Sequence, residues 1–264
     1  IFLSGGLDSS LITAAAAEVH TNKLNTFNIS VEDKNLNEEN YALEVSKYFK
    51  TKHHIINVKK EDFLNSFEEI LNLTDEPLGD SSIIPSYIIT KSVSESVKTI
   101  LSGDGGDELF GGYDHYKKVL SNNNFFSKFP KTLIKKISNL YKILPIGFYG
   151  RNTLHSLKYG SKQSYLFSNS FFDEDSRNKL INIKKYNSII NENSNSLQDT
   201  VNNSVDFKDN MMLFDLFHYL PDDILHKVDR ASMMNSIEIR NPFLDYKLVE
   251  FYYQKVNINL KISN

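Results

Sequence analysis

The chain has 264 residues, 40% hydrophobic and 24% charged, which is enough apolar material to bury a core in one large domain or two small ones. A net charge of −3 and a pI near 6.2, with lysines interleaved among acids, leave no basic footprint for a phosphate backbone, so no nucleic-acid partner is expected. The absence of cysteine excludes disulfides and thiolate zinc sites and fits a cytoplasmic setting, and no apolar run approaches the roughly 20 residues that span a bilayer, so no membrane partner is expected.

In chain order, Ile1, Phe2 and Leu3 read as the end of a buried strand that runs into a glycine turn. No methionine starts the chain and nothing precedes the strand, so the sequence reads as a fragment that begins inside an element. Residues 11–18 are rich in helix formers, and residues 26–31 carry the apolar pattern of a strand. Tyr41, Val45 and Tyr48 at helical spacing predict a second helix, residues 54–58 a second strand, and Phe63, Phe67, Ile70 and Leu71 a third helix. A further helix over about residues 85–96 leads to a strand at 99–101, which again ends in a Ser-Gly turn. This alternation predicts an α/β fold with a parallel sheet over residues 1–113. Ligands of such sheets sit where strand carboxyl ends meet helix N-termini, so both Ser-Gly turns should face one crevice. Residues 114–264 are expected to form a mainly helical part. Phe126, Phe129, Leu133, Ile137 and Leu140 lie at helical spacing there, and Asn- and Ser-rich interruptions fall at 121–124 and 191–196.

Two turns carry chemistry. In Ser4-Gly5-Gly6-Leu7-Asp8-Ser9-Ser10, the glycines let backbone fold tightly on an anion, the helix start offers free N–H groups, and three serines add donors. That is a pyrophosphate cradle. It is no Walker A loop, because no lysine follows at the spacing that reaches the outer phosphates. Asp8 would place negative charge beside phosphates unless Mg²⁺ lies between them. In Leu101-Ser102-Gly103-Asp104-Gly105-Gly106-Asp107-Glu108-Leu109-Phe110-Gly111-Gly112-Tyr113, three acids within five residues repel one another unless a metal or donors compensate them. The EF-hand spacing is absent. His53 and His54 are adjacent on a strand, point to opposite faces and are assigned a structural role.

These residues carry a family resemblance. The first turn resembles the PP-loop of ATP pyrophosphatases, and the second is similar to the second signature of the asparagine synthetase family. Tyr219-Leu220-Pro221-Asp222-Asp223-Ile224-Leu225-His226-Lys227-Val228-Asp229-Arg230-Ala231-Ser232-Met233, followed by Ile237-Glu238-Ile239-Arg240-Asn241-Pro242-Phe243-Leu244-Asp245, resembles the family's third signature in order and spacing. Asp75-Glu76-Pro77, with Asp80 and Ser81 after it, resembles the segment before the second signature.

The resemblance implies a parallel sheet of the PP-loop ATP pyrophosphatase type with a large helical C-terminal part. It also implies a reaction: ATP and an acid, aspartate in the family's usual case, give an acyl-adenylate and pyrophosphate, and ammonia from glutamine displaces AMP. On this reading Ser4, Gly5, Gly6, Ser9 and Ser10 hold pyrophosphate, and Asp8 with Asp107 bind Mg²⁺. Leu3, Ile29, Ser102 and Gly103 match positions that grip adenosine or its α-phosphate. Asp104 is the catalytic candidate, one methylene shorter than the glutamate of the best-studied members. Asp222, Asp223, Lys227, Asp229 and Arg230 lie at helical spacing, so the Asp223–Lys227 pair reads either as helix surface or as part of the site. Arg240 and Asp245 flank an apolar turn that suggests packing.

The family's glutaminase domain starts with a cysteine, so it is expected on a longer chain, and a homodimer is compatible with the family. The family's downstream lysines have no match here, so the fragment is expected to be inactive alone. A tRNA-modifying or GMP-forming PP-loop enzyme is disfavoured by the lack of cysteine and basic surface. A β-lactam-forming or sugar-amidating relative shares every motif, and a nucleotide-binding module that has lost catalysis also stays open.

Overall fold

The computed structural model describes residues 1–33, 37–76, 78–159, 164–165, 179–180 and 206–257. Pro77 and the Asn- and Ser-rich stretch at 191–196 lie outside the described residues. In chain order the elements are α1 (Leu7–Val19), β1 (Asn25–Val31), α2 (Glu39–Tyr48), β2 (Lys52–Val58), α3 (Lys60–Leu73), α4 (Ile83–Val93), β3 (Thr99–Leu101) and α5 (Gly106–Phe110). They continue with α6 (Asp114–Phe126), α7 (Lys131–Ser138), α8 (Arg151–Ser156), α9 (Phe207–Phe214), a π-helical stretch Asp215–Leu225, α10 (His226–Met233), β4 (Glu238–Arg240) and α11 (Tyr246–Lys255). Contacts group the chain into two units: Ile1–Leu109 with His218–Gln254, and Phe110–Phe217 with Lys255–Asn264.

In the first unit β1 and β2 pair in parallel with Phe27 opposite His54, and β3 and β4 pair in parallel with Ile100 opposite Ile239. Residues 1–3 join the two pairs. The Leu3 N–H donates to the Phe27 carbonyl at 2.9 Å, and the Phe2 N–H to the Leu101 carbonyl at 3.0 Å. The lateral order is therefore β2, β1, residues 1–3, β3, β4, and the chain's direction of progress across the sheet reverses between residues 1–3 and β3. Such a switch point opens a crevice at the strand carboxyl ends. Phe27, Val93, Ile100 and Ile237 form the sheet's apolar core, with Phe2, Ile56 and Ile239 against it. Ile70, Ile83, Tyr87 and Ala231 form a second cluster where α3, α4 and α10 meet.

Two differences from the sequence pattern have local causes. Tyr41 and Tyr48, whose helical spacing predicts α2, are 65% and 79% exposed, while Ala42 and Ser46 are buried. A Cβ at Gly5 would lie 2.5 Å from the backbone of Tyr41 and Ala42, so the glycine turn presses on this helix where only small residues fit. Residues 218–254, read with the helical part, group instead with the α/β unit. The reason is strand pairing: β4 extends the sheet beside β3, and Ile237 just before it is fully buried in the sheet core.

The second unit is helical in its described residues apart from turns. Tyr116 and Val119 of α6 are buried, as are Met211 and Met212 of α9. Its buried acid, Asp215, accepts hydrogen bonds from the hydroxyls of Tyr116, at 2.7 Å, and Tyr165. His115 Nε2 lies 3.5 Å from the same carboxylate oxygen. Several donors converging on one carboxylate satisfy a charge that burial alone would disfavour. Burial and then the Asp215 charge hold the Tyr165 hydroxyl well above the ordinary tyrosine range.

Candidate active site

The first turn is built by what it must avoid. Leu3 is 1% exposed, and its carbonyl accepts from Asn28 Nδ2 at 3.1 Å, so the chain leaves the sheet from a fixed point. Gly5 has φ +87°, in the left-handed region, and no side chain fits there against α2. The Gly6 N–H donates to Ser4 Oγ at 3.1 Å, and Ser4 Oγ lies 3.0 Å from Ser9 Oγ. No side chain caps α1, so the free N–H groups of its first turn face outward for an anion. Ser10 Oγ is buried without a partner, an unspent donor in the same turn.

The second turn lies directly on the first. The Ser102 N–H donates to the Arg240 carbonyl at 3.0 Å, which carries the β3–β4 pairing to the start of the turn. A Cβ on Gly103 would sit 3.2 Å from Asp8 Cβ and from the Ser9 nitrogen, and one on Gly106 would sit 2.5 Å from Asp8 Cγ and 2.8 Å from both carboxylate oxygens. The Asp8 carboxylate therefore rests on glycine backbone. Gly105 has φ +89°, and a Cβ there would strike Leu244 Cδ2 at 2.3 Å, so the Pro242–Leu244 turn braces this loop from behind.

Burial and then the Asp107 charge push the Asp8 carboxyl above the usual carboxylate range. Two carboxylates facing one another beside free N–H donors fit a divalent cation shared with phosphate oxygens. Among the described residues no group of three or more His, Cys, Asp or Glu converges on one point, so a Mg²⁺ here would rest on Asp8 and Asp107 and take its other ligands from phosphate and water. Of the remaining acids in the turn, Glu108 is 1% exposed and belongs to the core. Burial holds the Asp104 carboxyl above its usual range, against the opposing pull of a hydrogen bond from Ser102 and then the charge of Lys227. Leu3, Ile29, Ser102 and Gly103 stand at or near the carboxyl ends of three neighbouring strands, residues 1–3, β1 and β3.

A further cluster adjoins this crevice at the start of α4. Asp80 Oδ1 accepts from the Ser82 N–H at 2.8 Å and from Ser82 Oγ at 2.7 Å, and Lys227 Nζ donates to Asp80 Oδ2 at 2.9 Å and to Ser82 Oγ at 2.7 Å. Burial works against the charged form of Asp80, but the Lys227 and Ser82 bonds outweigh it and hold the carboxyl below its usual range. Lys227 is only 8% exposed. The surface reading of an Asp223–Lys227 pair is thus replaced. The π-helical winding ends at Leu225, between the two residues, so they do not stack as an i,i+4 pair, and Lys227 turns inward. Asp223 is left half-buried beside Asp80, and burial and then that charge push its carboxyl up.

The motif reading singled out Asp80 but not its bonds to Ser82, though an Asp two residues before a serine at a helix start is a capping signal. Arg240 binds the neighbouring Glu238 at 2.9 Å on the surface, and Asp245 accepts from the Lys247 N–H at the start of α11. His53 Nδ1 lies 2.9 Å from Thr26 Oγ1 inside the sheet, and burial holds its imidazole below the ordinary histidine range.

Comparison with known proteins gives one family. The asparagine synthase family profile matches residues 1–264. The chain is similar to asparagine synthetase [glutamine-hydrolyzing] 1 of Bacillus subtilis, 32% identical over 264 residues, covering 100% of this chain and 41% of that protein. It is similar to a putative asparagine synthetase [glutamine-hydrolyzing] of Mycobacterium tuberculosis, 32% identical over 245 residues, or 92% of this chain and 37% of that protein. A putative asparagine synthetase [glutamine-hydrolyzing] 2 of Methanocaldococcus jannaschii is 34% identical over 245 residues, or 88% of this chain and 44% of that protein. The chain thus spans about two-fifths of the length of these relatives. No helix among the described residues is long and apolar enough to cross a membrane.

Proposed function

This chain belongs to the asparagine synthase family, and from that premise we propose that it carries the ATP-dependent amidation step of asparagine synthesis. The aspartate side-chain carboxylate attacks the α-phosphorus of ATP, giving β-aspartyl-AMP and pyrophosphate. Ammonia then attacks the acyl carbon and releases AMP, leaving asparagine. Ammonia comes from glutamine through a glutaminase domain, a reading supported by the printed names and greater length of the relatives.

The observation that carries this reading is the contact between the two turns at the switch point, with Asp8 set against Gly106 and facing Asp107. Ser4, Gly5, Gly6, Ser9 and Ser10 offer hydroxyl and N–H donors to the pyrophosphate, holding it in line with the attacking carboxylate. Asp8 and Asp107 would hold Mg²⁺, whose charge offsets that of the phosphates. Leu3, Ile29, Ser102 and Gly103 are read as the adenosine side, and Asp104 as the catalytic acid residue of the site. A cytoplasmic setting is part of the same reading.

ATP–pyrophosphate exchange, measured on a protein of the relatives' full length that contains this chain, tests it. Isotope should return from pyrophosphate to ATP when aspartate and Mg²⁺ are present, and more slowly with other acids. Exchange that ignores the acid supplied, or none with any acid, would overturn the proposal.

A further inference from the structure

The chain's net charge of −3 is unevenly spread. Residues 115–172 carry nine lysines and one arginine with no Asp or Glu among them, so this part of the helical unit is strongly cationic. Lys128, Lys131, Lys135, Lys136 and Lys142 are exposed, and among the described residues no carboxylate pairs with them. Large apolar side chains stand beside these lysines in sequence. Leu133 and Lys136, three apart on α7, share its exposed side, and Ile143, Ile146, Phe148 and Tyr149 are 77%, 70%, 54% and 94% exposed.

That exposure is built into the fold. Tyr141, in the 3₁₀ turn Asn139–Ile143 that follows α7, is buried with its ring 4.5 Å from that of His155 in α8. Arg151 Nε donates to the Leu144 carbonyl at 3.2 Å, and the Arg151 N–H donates to the Phe148 carbonyl at 3.1 Å. Gly147 and Gly150, with φ +87° and +84°, turn the chain between these anchors. The loop is therefore pinned while its apolar side chains stay in water, and a group of such side chains marks an interaction surface. Charge and chemistry select the partner. A second copy would set like charges against each other, and a nucleic-acid backbone would satisfy the lysines but give the isoleucines only polar surroundings. An anionic bilayer surface suits both, with ammonium groups at the level of lipid phosphates and apolar side chains at the acyl boundary.

We propose that the face formed by residues 131–149 docks on an anionic lipid surface, its lysines on lipid phosphates and Ile143, Ile146 and Phe148 at the acyl boundary beneath them. Lying against a bilayer needs no spanning helix, so the lack of one among the described residues does not bear on it. The inference is independent of the reading of the ATP site.

The test uses a protein of the relatives' full length that contains this chain, sedimented with vesicles of phosphatidylcholine alone or of equal parts phosphatidylcholine and phosphatidylglycerol. It should bind the mixed vesicles about tenfold or more above the neutral ones, and lose that binding as salt is raised. Lys135→Ala with Lys136→Ala should lower the binding about tenfold or more, as should Ile143→Ser with Ile146→Ser. All four side chains are exposed, so melting temperature and ATP–pyrophosphate exchange should match the parent's. Phe148→Trp should add an emission that shifts to the blue on the mixed vesicles and not with polyuridylate RNA. No binding of the folded parent to the mixed vesicles would overturn the inference, as would binding that survives both double substitutions. RNA binding without vesicle binding would give the face to a polyanion, and self-association lost in the isoleucine variant without vesicle binding would give it to a second copy; either overturns it.

Discussion

Gly106→Ala should separate the cation-and-phosphate side of the site from the adenosine side with one methyl group. Gly106 opens α5 and has no positive φ, so alanine is allowed by the backbone and the effect is steric. The new Cβ would sit 2.5 Å from Asp8 Cγ, against the 3.4 Å at which ordinary contact begins, a shortfall of about 0.9 Å. Backbone holds the methyl on one side, so the Asp8 carboxylate must swing away from its place opposite Asp107. Overpacking of this size costs about 1–3 kcal/mol of stability, partly offset by about 0.4–1 kcal/mol from the stiffer unfolded chain. The protein should therefore stay folded. A displacement of about 1 Å at a reacting or ligating group costs about 10²-fold, so Mg²⁺-ATP affinity and exchange rate should fall by about that factor. AMP, which lacks the pyrophosphate, should bind within about threefold of the parent, a difference under about 1 kcal/mol. Calorimetry with both nucleotides reads the two numbers. Gly79→Ala, whose Cβ would meet nothing within 4 Å, is the control. A folded Gly106→Ala protein that binds Mg²⁺-ATP as the parent does would refute the placement of the metal at Asp8.

Asp8→Asn should weaken Mg²⁺-ATP about tenfold or more while sparing AMP, because one of two carboxylate ligands is lost; equal losses for both nucleotides would count against it. The same variant should be the more stable apo protein. Asp8 has a raised carboxyl, so the parent loses stability as pH rises from the ordinary aspartate value to that raised value, and melting curves of parent and variant should coincide in acid, separate across that window and stay a constant distance apart above it. Ser10→Ala should leave apo stability unchanged or higher by up to about 1 kcal/mol, since its hydroxyl is buried without a partner, yet cost about 1.5–3 kcal/mol of Mg²⁺-ATP binding. Unchanged affinity would show that the hydroxyl does not serve phosphate. With no cysteine in the sequence, this chain should release no glutamate from glutamine, which a coupled dehydrogenase assay checks.

What could be read from the sequence was local. The Ser4–Ser10 and Ser102–Asp107 turns announce themselves because anion cradles are made of consecutive glycines, serines and acids, and because each follows a short apolar strand. The contact between them was legible only as an expectation of the parallel sheet; that Gly106 is the surface on which Asp8 rests needs coordinates. β4 is three residues long, too short for any periodicity, and becomes a strand because β3 offers it a parallel partner from far along the chain. Which face of α2 is buried is set in a similar way, since the bulk at Tyr41 and Tyr48 matters less than the backbone of Gly5 pressing on Ala42.

Lys227 shows the limit most clearly. A local rule offers Asp223, four residues away, as its partner, and the fold gives it Asp80, 147 residues away. Spacing rules describe one regular helix, and here the winding changes between the two residues, so the rule fails where the chain departs from the geometry on which it rests. The consequence reaches chemistry. Which acids occupy the loops can be read from motifs, but which cation meets Asp80 at the start of α4 is set by tertiary structure. Recognising the loops is therefore enough to name a reaction class, while the pairing that holds the Asp80 carboxyl below its usual range is a property of the folded cluster around Lys227.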